Sequence, residues 1–322
     1  MTATSVSPRP RRLGPLRPPR PLPLLPLLPL LPLLASLTVA PTAEAQRPLK
    51  VYISADMEGV VGTVTGDQLG PGGFEYERFR QFMTAEVLAA VEAAKAAGAT
   101  EILVSDSHGN GENLLIERLP ADVSVVRSWP RPLMMMQGID SSFSAALFIG
   151  YHASAANPRG VRAHTISSAR FADVRLNGRS VTEGAISAAI AGHFGVPVVM
   201  ISGDDAAVAE VKALVGDLEG AVVKWNYSFH SARTLTPEAS GRLIREKVTA
   251  ALKRLGQFQP YTLPAPVTLD LQFRHYRPAE MLAYLPIVQR TDAHTIRYVG
   301  SDVLAISKFI EFVTTYDVAL EP

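Results

Sequence analysis

The sequence contains no cysteine. This absence excludes disulfide bonds, thiolate zinc sites and a cysteine nucleophile. Charged residues make up only 19% of the 322 residues and hydrophobic residues 47%, so the chain can bury a large core. Long basic runs are also missing: the first 45 residues hold five arginines and one acid, and the remainder is slightly acidic. An acidic body offers no electrostatic basis for binding nucleic acid.

The N-terminal 45 residues have the order of features typical of a secretory signal peptide. An arginine-rich start precedes an apolar run, and Ala43-Glu44-Ala45 fits an A-x-A cleavage site. Proline recurs at every third position from Pro23 to Pro32, which argues against a membrane-spanning helix because each proline removes a helical hydrogen bond. We therefore expect cleavage after Ala45 and a periplasmic or extracellular protein. If the segment is instead a low-complexity tail, the protein stays in the cytoplasm.

Short apolar strands alternate with alanine-rich helices through the middle of the chain. This alternation predicts an α/β fold over residues 49–258, a mostly parallel sheet with helices on both faces. Thr236, followed by Pro237, predicts the N-cap of the last helix in this part. Beyond Pro266 the pattern changes to a strand, a helix, two short strands and a final helix from Asp302. We predict a smaller α+β unit over residues 261–322.

Side chains of metal-ligand type follow directly after three of the predicted strands. Asp56 and Glu58 follow the first strand, Asp106 and His108 the second, and His152 a third. Because the carboxyl ends of parallel strands line one crevice, these side chains can converge. In extended chain, Asp56 and Glu58 would point to the same side. Carboxylates and imidazoles without thiolates suit zinc, manganese or a mixed pair of metals.

Two further residues fit the same site. His164 lies in a loop before a predicted strand, and Glu183 begins a predicted helix after the Asn177-Gly178 turn. Glu183 also has an ordinary explanation as a first-turn acid that the helix dipole favours. Each strand-end residue alone can likewise be a cap, a turn residue or a buried histidine. Their recurrence at the same end of successive strands favours a joint site.

The motifs around these residues resemble the DppA-type D-aminopeptidases, the dipeptide-operon family of dinuclear zinc peptidases. The similar segments run in order along nearly the whole chain after the leader: Ser54–Gly59, Ser105–His108 with Asn113, Gly150–Ala153, Ala163–Thr165, Glu183 and Gly203–Asp205. One departure is His230, which stands where the family has an arginine and affects the substrate end of the pocket. The leader also has no counterpart in the cytosolic members.

The resemblance implies a role for each candidate ligand. Asp56 would bridge two zinc ions. Glu58 and His152 would complete one zinc site, and His108 and Glu183 the other. Manganese or a mixed pair would fit the same residues.

The resemblance also implies an activity, namely a metal-dependent aminopeptidase. It would hydrolyse short peptides with an amino-terminal D-residue, of the D-Ala-D-Ala type, by a water that two metals activate. His164 is the implied catalytic residue, and we favour proton transfer over covalent attack because an imidazole titrates near neutral pH. A homo-oligomer, a decameric ring in the family, is implied as well.

Two other functions fit the same residues. Aspartate and histidine at strand ends also suit a metallophosphoesterase or an amidase. An exported dipeptide- or metal-binding protein that serves a transporter would account for the leader and for the operon association of the family. Turnover of a D-peptide separates the peptidase from both.

Overall fold

The computed structural model describes Met1, residues 14–21 and residues 48–316. The chain divides after Gln46 into two units, and the described residues of the first form no helix or strand. The predicted cleavage after Ala45 and the run from Pro23 to Pro32 lie outside the described residues. Among the residues that are described, none of the helices has the length and apolar character that a membrane crossing requires.

The second unit contains twelve strands and six α-helices within its described part. The strands are β1 (Leu49–Ala55), β2 (Ala99–Asp106), β3 (Val123–Val126), β4 (Ala145–Tyr151), β5 (Phe171–Leu176), β6 (Arg179–Ser180), β7 (Val198–Asp204), β8 (Glu219–Ser228), β9 (Ser231–Thr234), β10 (Val267–Phe273), β11 (Val288–Arg290) and β12 (Thr295–Gly300). The helices are α1 (Tyr76–Ala96), α2 (Glu183–His193), α3 (Asp205–Val215), α4 (Pro237–Lys253), α5 (Tyr276–Leu282) and α6 (Val303–Thr315).

The larger sheet has seven strands in the order β3-β2-β1-β4-β7-β8-β9. Its neighbouring strands are parallel except for the β8–β9 pair. The central strand β4 is buried along its whole length, as expected of a parallel strand that is covered on both sides. Helices α1 and α4 pack on each other, as do α2 and α3, and both pairs contact the sheet. The predicted α/β fold with a mostly parallel sheet is confirmed.

A second sheet of five antiparallel strands has the order β11-β12-β10-β5-β6. Strands β5 and β6 come from the middle of the chain. They are joined by Asn177 and Gly178, whose φ angles of 48° and 80° suit a two-residue hairpin turn. The small α+β unit is therefore not formed by residues 261–322 alone, and residues from Arg47 onward belong to one unit.

Four helices begin at a side-chain cap. Thr182, Asp204, Thr236 and Asp302 each accept a hydrogen bond from the backbone N–H three residues later. The predicted cap at Thr236 is confirmed. The cap at Thr182 fixes the start of α2, and with it the position of Glu183.

Candidate metal centre

The strand order brings the loops that carry the predicted ligands next to one another. Strand β1 lies between β2 and β4, with Ala55 paired to Asp106 on one side and to Ile149 on the other. Asp56 and Glu58 follow β1, His108 follows β2 and His152 follows β4. The candidate ligands therefore meet at the carboxyl edge of three adjacent parallel strands.

The segment after β1 is a turn and not the extended chain that the sequence analysis expected. The Val60 N–H donates to Met57 O at 3.2 Å, and the Gly59 N–H donates to Gly150 O at 2.6 Å. A Cβ on Gly59 would lie 2.0 Å from Tyr151 O, so only glycine permits this approach to β4. The close contact holds Asp56 and Glu58 beside the residue that follows β4.

Glu183 and His164 reach the site from outside the strands. Glu183 is the first residue of α2, and its Oε1 accepts a hydrogen bond of 2.6 Å from the Ile166 N–H. His164 lies in the loop after β4, where its N–H donates to Ala153 O at 3.1 Å. The imidazole of His164 stacks on that of His152, with ring centroids 4.1 Å apart. All six residues that the sequence analysis singled out as ligands or catalyst thus lie together.

Backbone carbonyls fix the orientation of each histidine ring. Nε2 of His108 lies 2.8 Å from the Leu69 carbonyl, Nδ1 of His152 lies 3.0 Å from Ala153 O, and Nδ1 of His164 lies 2.8 Å from Arg162 O. Because a carbonyl only accepts hydrogen bonds, these nitrogens carry the protons. The opposite nitrogen of each ring faces the carboxylates and could bind a metal in place of a proton, the arrangement found in metal-binding histidines.

The side chains form two groups that Asp56 joins. In the first, Nδ1 of His108 lies 2.8 Å from Glu58 Oε2 and 3.2 Å from Asp56 Oδ1. In the second, Nε2 of His152 lies 3.3 Å from Glu183 Oε2 and 3.4 Å from Asp56 Oδ2. Glu58 is thus grouped with His108, and Glu183 with His152. This grouping differs from the pairing that the resemblance implied, because the ring orientations and not the strand order determine which carboxylate each histidine faces.

Burial and mutual repulsion set the pKa values of the carboxylates. Burial, together with the charge of Glu58, raises the pKa of Asp56 to about 7. The pKa of Glu58 moves the other way: burial would raise it, but the neighbouring His108 holds it well below its usual range. His152 lowers the pKa of Glu183 against the same effect of burial.

The histidines divide into two classes by their pKa values. Burial alone would lower the pKa of every ring, but Glu58 raises that of His108 well above its usual value, and Glu183 raises that of His152 to about 10. The pKa of His164 is lowered, because burial and the charge of His152 outweigh the more distant carboxylates. Three buried carboxylates therefore favour positive charge nearby, and the two nearer histidines, His108 and His152, supply it.

The residues fit a pair of divalent cations. Asp56 Oδ2, Glu58 Oε2 and His152 Nε2 are buried atoms without a hydrogen-bond partner. Ligand atoms of Asp56, Glu58 and His108 all lie within 4.8 Å of one another, as do those of His152, His164 and Glu183. A buried polar atom without a partner destabilises the folded protein, and a bound cation would supply the missing partner. Oxygen and nitrogen donors without sulfur suit zinc or manganese.

Lys224 stabilises the loop that carries two of the candidate ligands, a role that the sequence did not indicate. Its fully buried ammonium donates to the carbonyls of Glu58, Val60 and Thr63. The three carbonyls use all three ammonium protons. Because Lys224 belongs to β8, these hydrogen bonds tie the turn after β1 to β8. Burial lowers the pKa of Lys224 to about 8.

A cleft of about 310 Å³ opens beside the ligands. Its far wall comes from segments that the sequence analysis did not connect with the site: Trp129, Ser167, Arg170, Glu311, Thr314 and Thr315. Glu311, Thr314 and Thr315 belong to α6, which the second sheet and α2 hold in place. No local pattern links α6 to strand ends that precede it by more than 100 residues. His164 lines the cleft, whereas His152 lies deeper.

Two residues that the sequence analysis associated with the site belong to neither ligand group. Asp106 is buried at the end of β2, but both of its oxygens accept hydrogen bonds from Asn113, and Oδ2 also accepts one from Leu114 N–H. It belongs to neither ligand group. His230 is exposed and does not line the cleft; its Nδ1 lies 3.3 Å from Val64 O.

Comparison with known proteins shows to which family the chain belongs. The family model described as D-aminopeptidase matches residues 49–312. The chain belongs to the D-aminopeptidase family. A D-aminopeptidase from Bacillus subtilis (strain 168) is 35% identical over 260 residues, which cover 80% of this chain and 93% of that protein.

A solved structure of this family has a similar fold. The Zn-dependent D-aminopeptidase DppA from Bacillus subtilis, described as a self-compartmentalizing protease, superposes with a TM-score of 0.78 at 32% identity. The match covers 84% of this chain and 100% of that one. The family assignment that the sequence motifs suggested is therefore confirmed, and so is the α/β fold.

Proposed function

We propose that this protein is a dinuclear zinc aminopeptidase that removes an amino-terminal D-residue from short peptides. The observation that carries the proposal is the pair of ligand groups on either side of Asp56, one with Glu58 and His108 and the other with His152 and Glu183. Zinc dependence and D-peptide specificity are taken from the names of the relatives, and the oxygen and nitrogen donors here are compatible with zinc.

The proposed metal ligands are Asp56, Glu58 and His108 for one ion, and Asp56, His152 and Glu183 for the other. Two bound cations would polarise the scissile carbonyl and lower the pKa of a water molecule. The surrounding loops keep bulk water away from the deeper ligands, since His152 is only 1% exposed.

His164 is the proposed proton-transfer residue. Its Nδ1 proton is held by the Arg162 carbonyl, so Nε2 is the free base, 3.8 Å from Glu183 Oε1 and 4.0 Å from Glu58 Oε1. Its lowered pKa keeps the ring neutral near pH 7, as a base requires. The ligand atoms of His164 and Glu183 lie within 4.8 Å of each other, so His164 is also placed to bind a metal ion. Metal content must therefore be measured in any variant at this position.

The direct test uses the purified full chain, with its metal content determined by elemental analysis. It is incubated with D-Ala-D-Ala, D-Ala-Gly-Gly and the corresponding L-peptides. We expect about two ions per chain and release of D-alanine, with the L-peptides cleaved far more slowly. Removal of metal by a chelator should abolish activity, and added zinc should restore it.

Other outcomes of this assay would favour the alternative functions. Release of phosphate from a phosphate ester without cleavage of the peptides would indicate a metallophosphoesterase. Release of ammonia from an amide would indicate an amidase. Binding of a dipeptide without turnover would indicate a transport-associated binding protein.

We also propose that the protein forms a homo-oligomer. The related DppA is described as self-compartmentalizing. Exposed apolar side chains are concentrated on and near α5 and α6: Tyr276, Met281, Tyr284, Ile287, Phe312 and Tyr316. Analytical ultracentrifugation should therefore find a mass well above 34.6 kDa.

Export of the protein is proposed from the leader sequence. The A-x-A site and the arginine-rich start motivate it. Mass spectrometry of the protein from its native cell-envelope fraction should find Gln46 at the amino terminus. An intact Met1 in the cytosol would contradict export.

A further inference from the structure

The cleft beside the candidate ligands contains one basic side chain of permanent positive charge within the described residues, that of Arg170. Asp56, Glu58 and Glu183 supply carboxylates at one end. The remaining ionisable group of the far wall, Glu311, accepts a hydrogen bond from the Arg131 N–H, and burial raises its pKa.

Arg170 is tied to the ligand end of the cleft by a short segment. The Ile166 N–H donates to Glu183, and a single turn follows, closed by hydrogen bonds from the N–H groups of Arg170 and Phe171 to Ser167 O. Ile166, Ser167 and Arg170 all line the cleft, so one short segment carries both the residue that contacts Glu183 and the guanidinium of Arg170.

Part of the guanidinium of Arg170 remains available to bind a ligand. Its Nη1 donates to the carbonyls of Val313 and Thr314 at the end of α6, which orients the group. No hydrogen bond within the described residues uses its Nε or Nη2. These two nitrogens present the planar edge that binds a carboxylate in bidentate fashion.

We propose that Arg170 binds the C-terminal carboxylate of the peptide and thereby selects very short substrates. This inference rests on the proposed aminopeptidase function. A short peptide carries a free carboxylate at the end away from its amino terminus, and this carboxylate matches the guanidinium of Arg170. Because extended chain spans about 3.5 Å per residue, the two ends of a dipeptide or tripeptide lie about 7–10 Å apart. On this proposal, a longer extended peptide whose amino end lies at the ligands would carry its carboxylate beyond Arg170.

The test compares D-Ala-D-Ala with its C-terminal amide, which lacks the negative charge. The wild-type protein should cleave the free acid with a kcat/KM about tenfold higher than that of the amide, a moderate value because Arg170 is exposed to solvent. Arg170→Met should reduce kcat/KM for the acid about tenfold, mainly through KM, and leave the amide within about twofold. Arg170→Lys should recover part of the preference.

A matched control separates substrate binding from support of the loop. Arg274 is exposed, its Nε donates to Ser168 O in the same segment, and it does not line the cleft. Arg274→Met should therefore affect acid and amide equally.

The two proposals fail in different ways. An equal loss for both substrates in Arg170→Met, or a wild-type protein that does not distinguish acid from amide, would overturn the role of Arg170 while leaving the aminopeptidase function intact. A wild-type protein that cleaves neither substrate would overturn the function itself, and the role of Arg170 with it.

Discussion

Asp56 and Asp106 stand side by side at the same edge of the larger sheet, yet their surroundings differ. Both are buried. Asp56 follows β1 and Asp106 ends β2, and these neighbouring strands pair Ala55 with Asp106. The carboxylate of Asp106 accepts hydrogen bonds of 2.6, 2.8 and 2.7 Å from Asn113 N–H, Asn113 Nδ2 and Leu114 N–H. Oδ1 of Asp56 accepts one from Met57 N–H at 2.8 Å, and Oδ2 has no hydrogen-bond partner.

The difference teaches that residue type and strand-end position do not by themselves identify a ligand. Two backbone amides and the side-chain amide of Asn113 donate to Asp106, so its carboxylate holds the loop after β2 in place. Asp56 faces a histidine on either side and keeps an oxygen unpaired, which gives it lone pairs for a cation. What distinguishes the two is the number of donors that the fold supplies to each.

The largest expected effect is that of Asp56→Ala on metal binding and activity. One oxygen of Asp56 faces the group with Glu58 and the other faces the group with Glu183, so its loss should remove both ions and abolish activity. Glu58→Ala and Glu183→Ala should each weaken mainly one site. Elemental analysis of the purified variants measures this. Two ions per chain retained in Asp56→Ala would exclude a bridging role.

The next effect is that of His164→Ala on turnover. If His164 transfers a proton, its loss should lower kcat for D-Ala-D-Ala by about 10²–10⁴-fold, with both metals retained and KM nearly unchanged. Metal stoichiometry and steady-state kinetics on the same preparation test this. A metal-depleted variant would make His164 a ligand, and a fully active one would remove it from the mechanism.

His152→Ala is the matched control for that variant. The two imidazoles are stacked, but Nε2 of His152 lies against Asp56 and Glu183, and its side chain is only 1% exposed. Its loss should therefore remove metal and activity together. Equal metal loss in both variants would contradict the division between ligand and proton-transfer residue.

A smaller effect, on stability alone, is expected for Asp106→Ala. The substitution leaves three buried or partly buried N–H donors around Asn113 without their acceptor, which should cost about 2–4 kcal/mol of the free energy of unfolding. Urea unfolding measures that loss. The fraction that remains folded should bind as much metal as the wild-type protein. Loss of metal without loss of stability would place Asp106 among the ligands.

The part of the site that could be predicted is the part that strand geometry determines. Asp56, His108 and His152 follow adjacent parallel strands, and such strand ends always meet at one edge. The alternation of strands and helices, and the order of elements beyond Pro266, were also predicted from their patterns. The cap at Thr236 agrees with the structure as well.

The part that could not be predicted depends on contacts between distant segments. The turn after β1 forms because Gly59 bonds to Gly150, and each histidine ring is oriented by a carbonyl that no motif indicates, such as Leu69 O for His108. Strand β5 follows His164, where a strand was predicted, but its place in the second sheet was missed because it pairs with β10, which follows it by about 95 residues. The same distance in sequence conceals the contribution of α6 to the cleft.

The smallest effect on metal binding is expected for Glu86, a buried acid that, like Asp56, has an oxygen without a hydrogen-bond partner. Its Oε1 accepts hydrogen bonds from Ser240 Oγ at 2.6 Å and Val61 N–H at 3.1 Å, but it belongs to neither ligand group. An unpaired oxygen without neighbouring ligands should not bind metal. Glu86→Gln should therefore retain the full metal content.

The same substitution should change how stability depends on pH. Burial raises the pKa of Glu86 to about 7, above its unfolded value of 4.5. The folded protein thus binds more protons between these values, and the free energy of unfolding falls as pH rises through this window, by up to about 3 kcal/mol. Glu86→Gln removes that dependence, so its stability relative to wild type should increase from pH 4.5 to pH 8.

Urea unfolding of both proteins at the two pH values measures the difference. A difference that does not grow with pH would show that the Glu86 carboxyl is not destabilised by burial, and a loss of metal would show that one unpaired oxygen suffices to make a ligand.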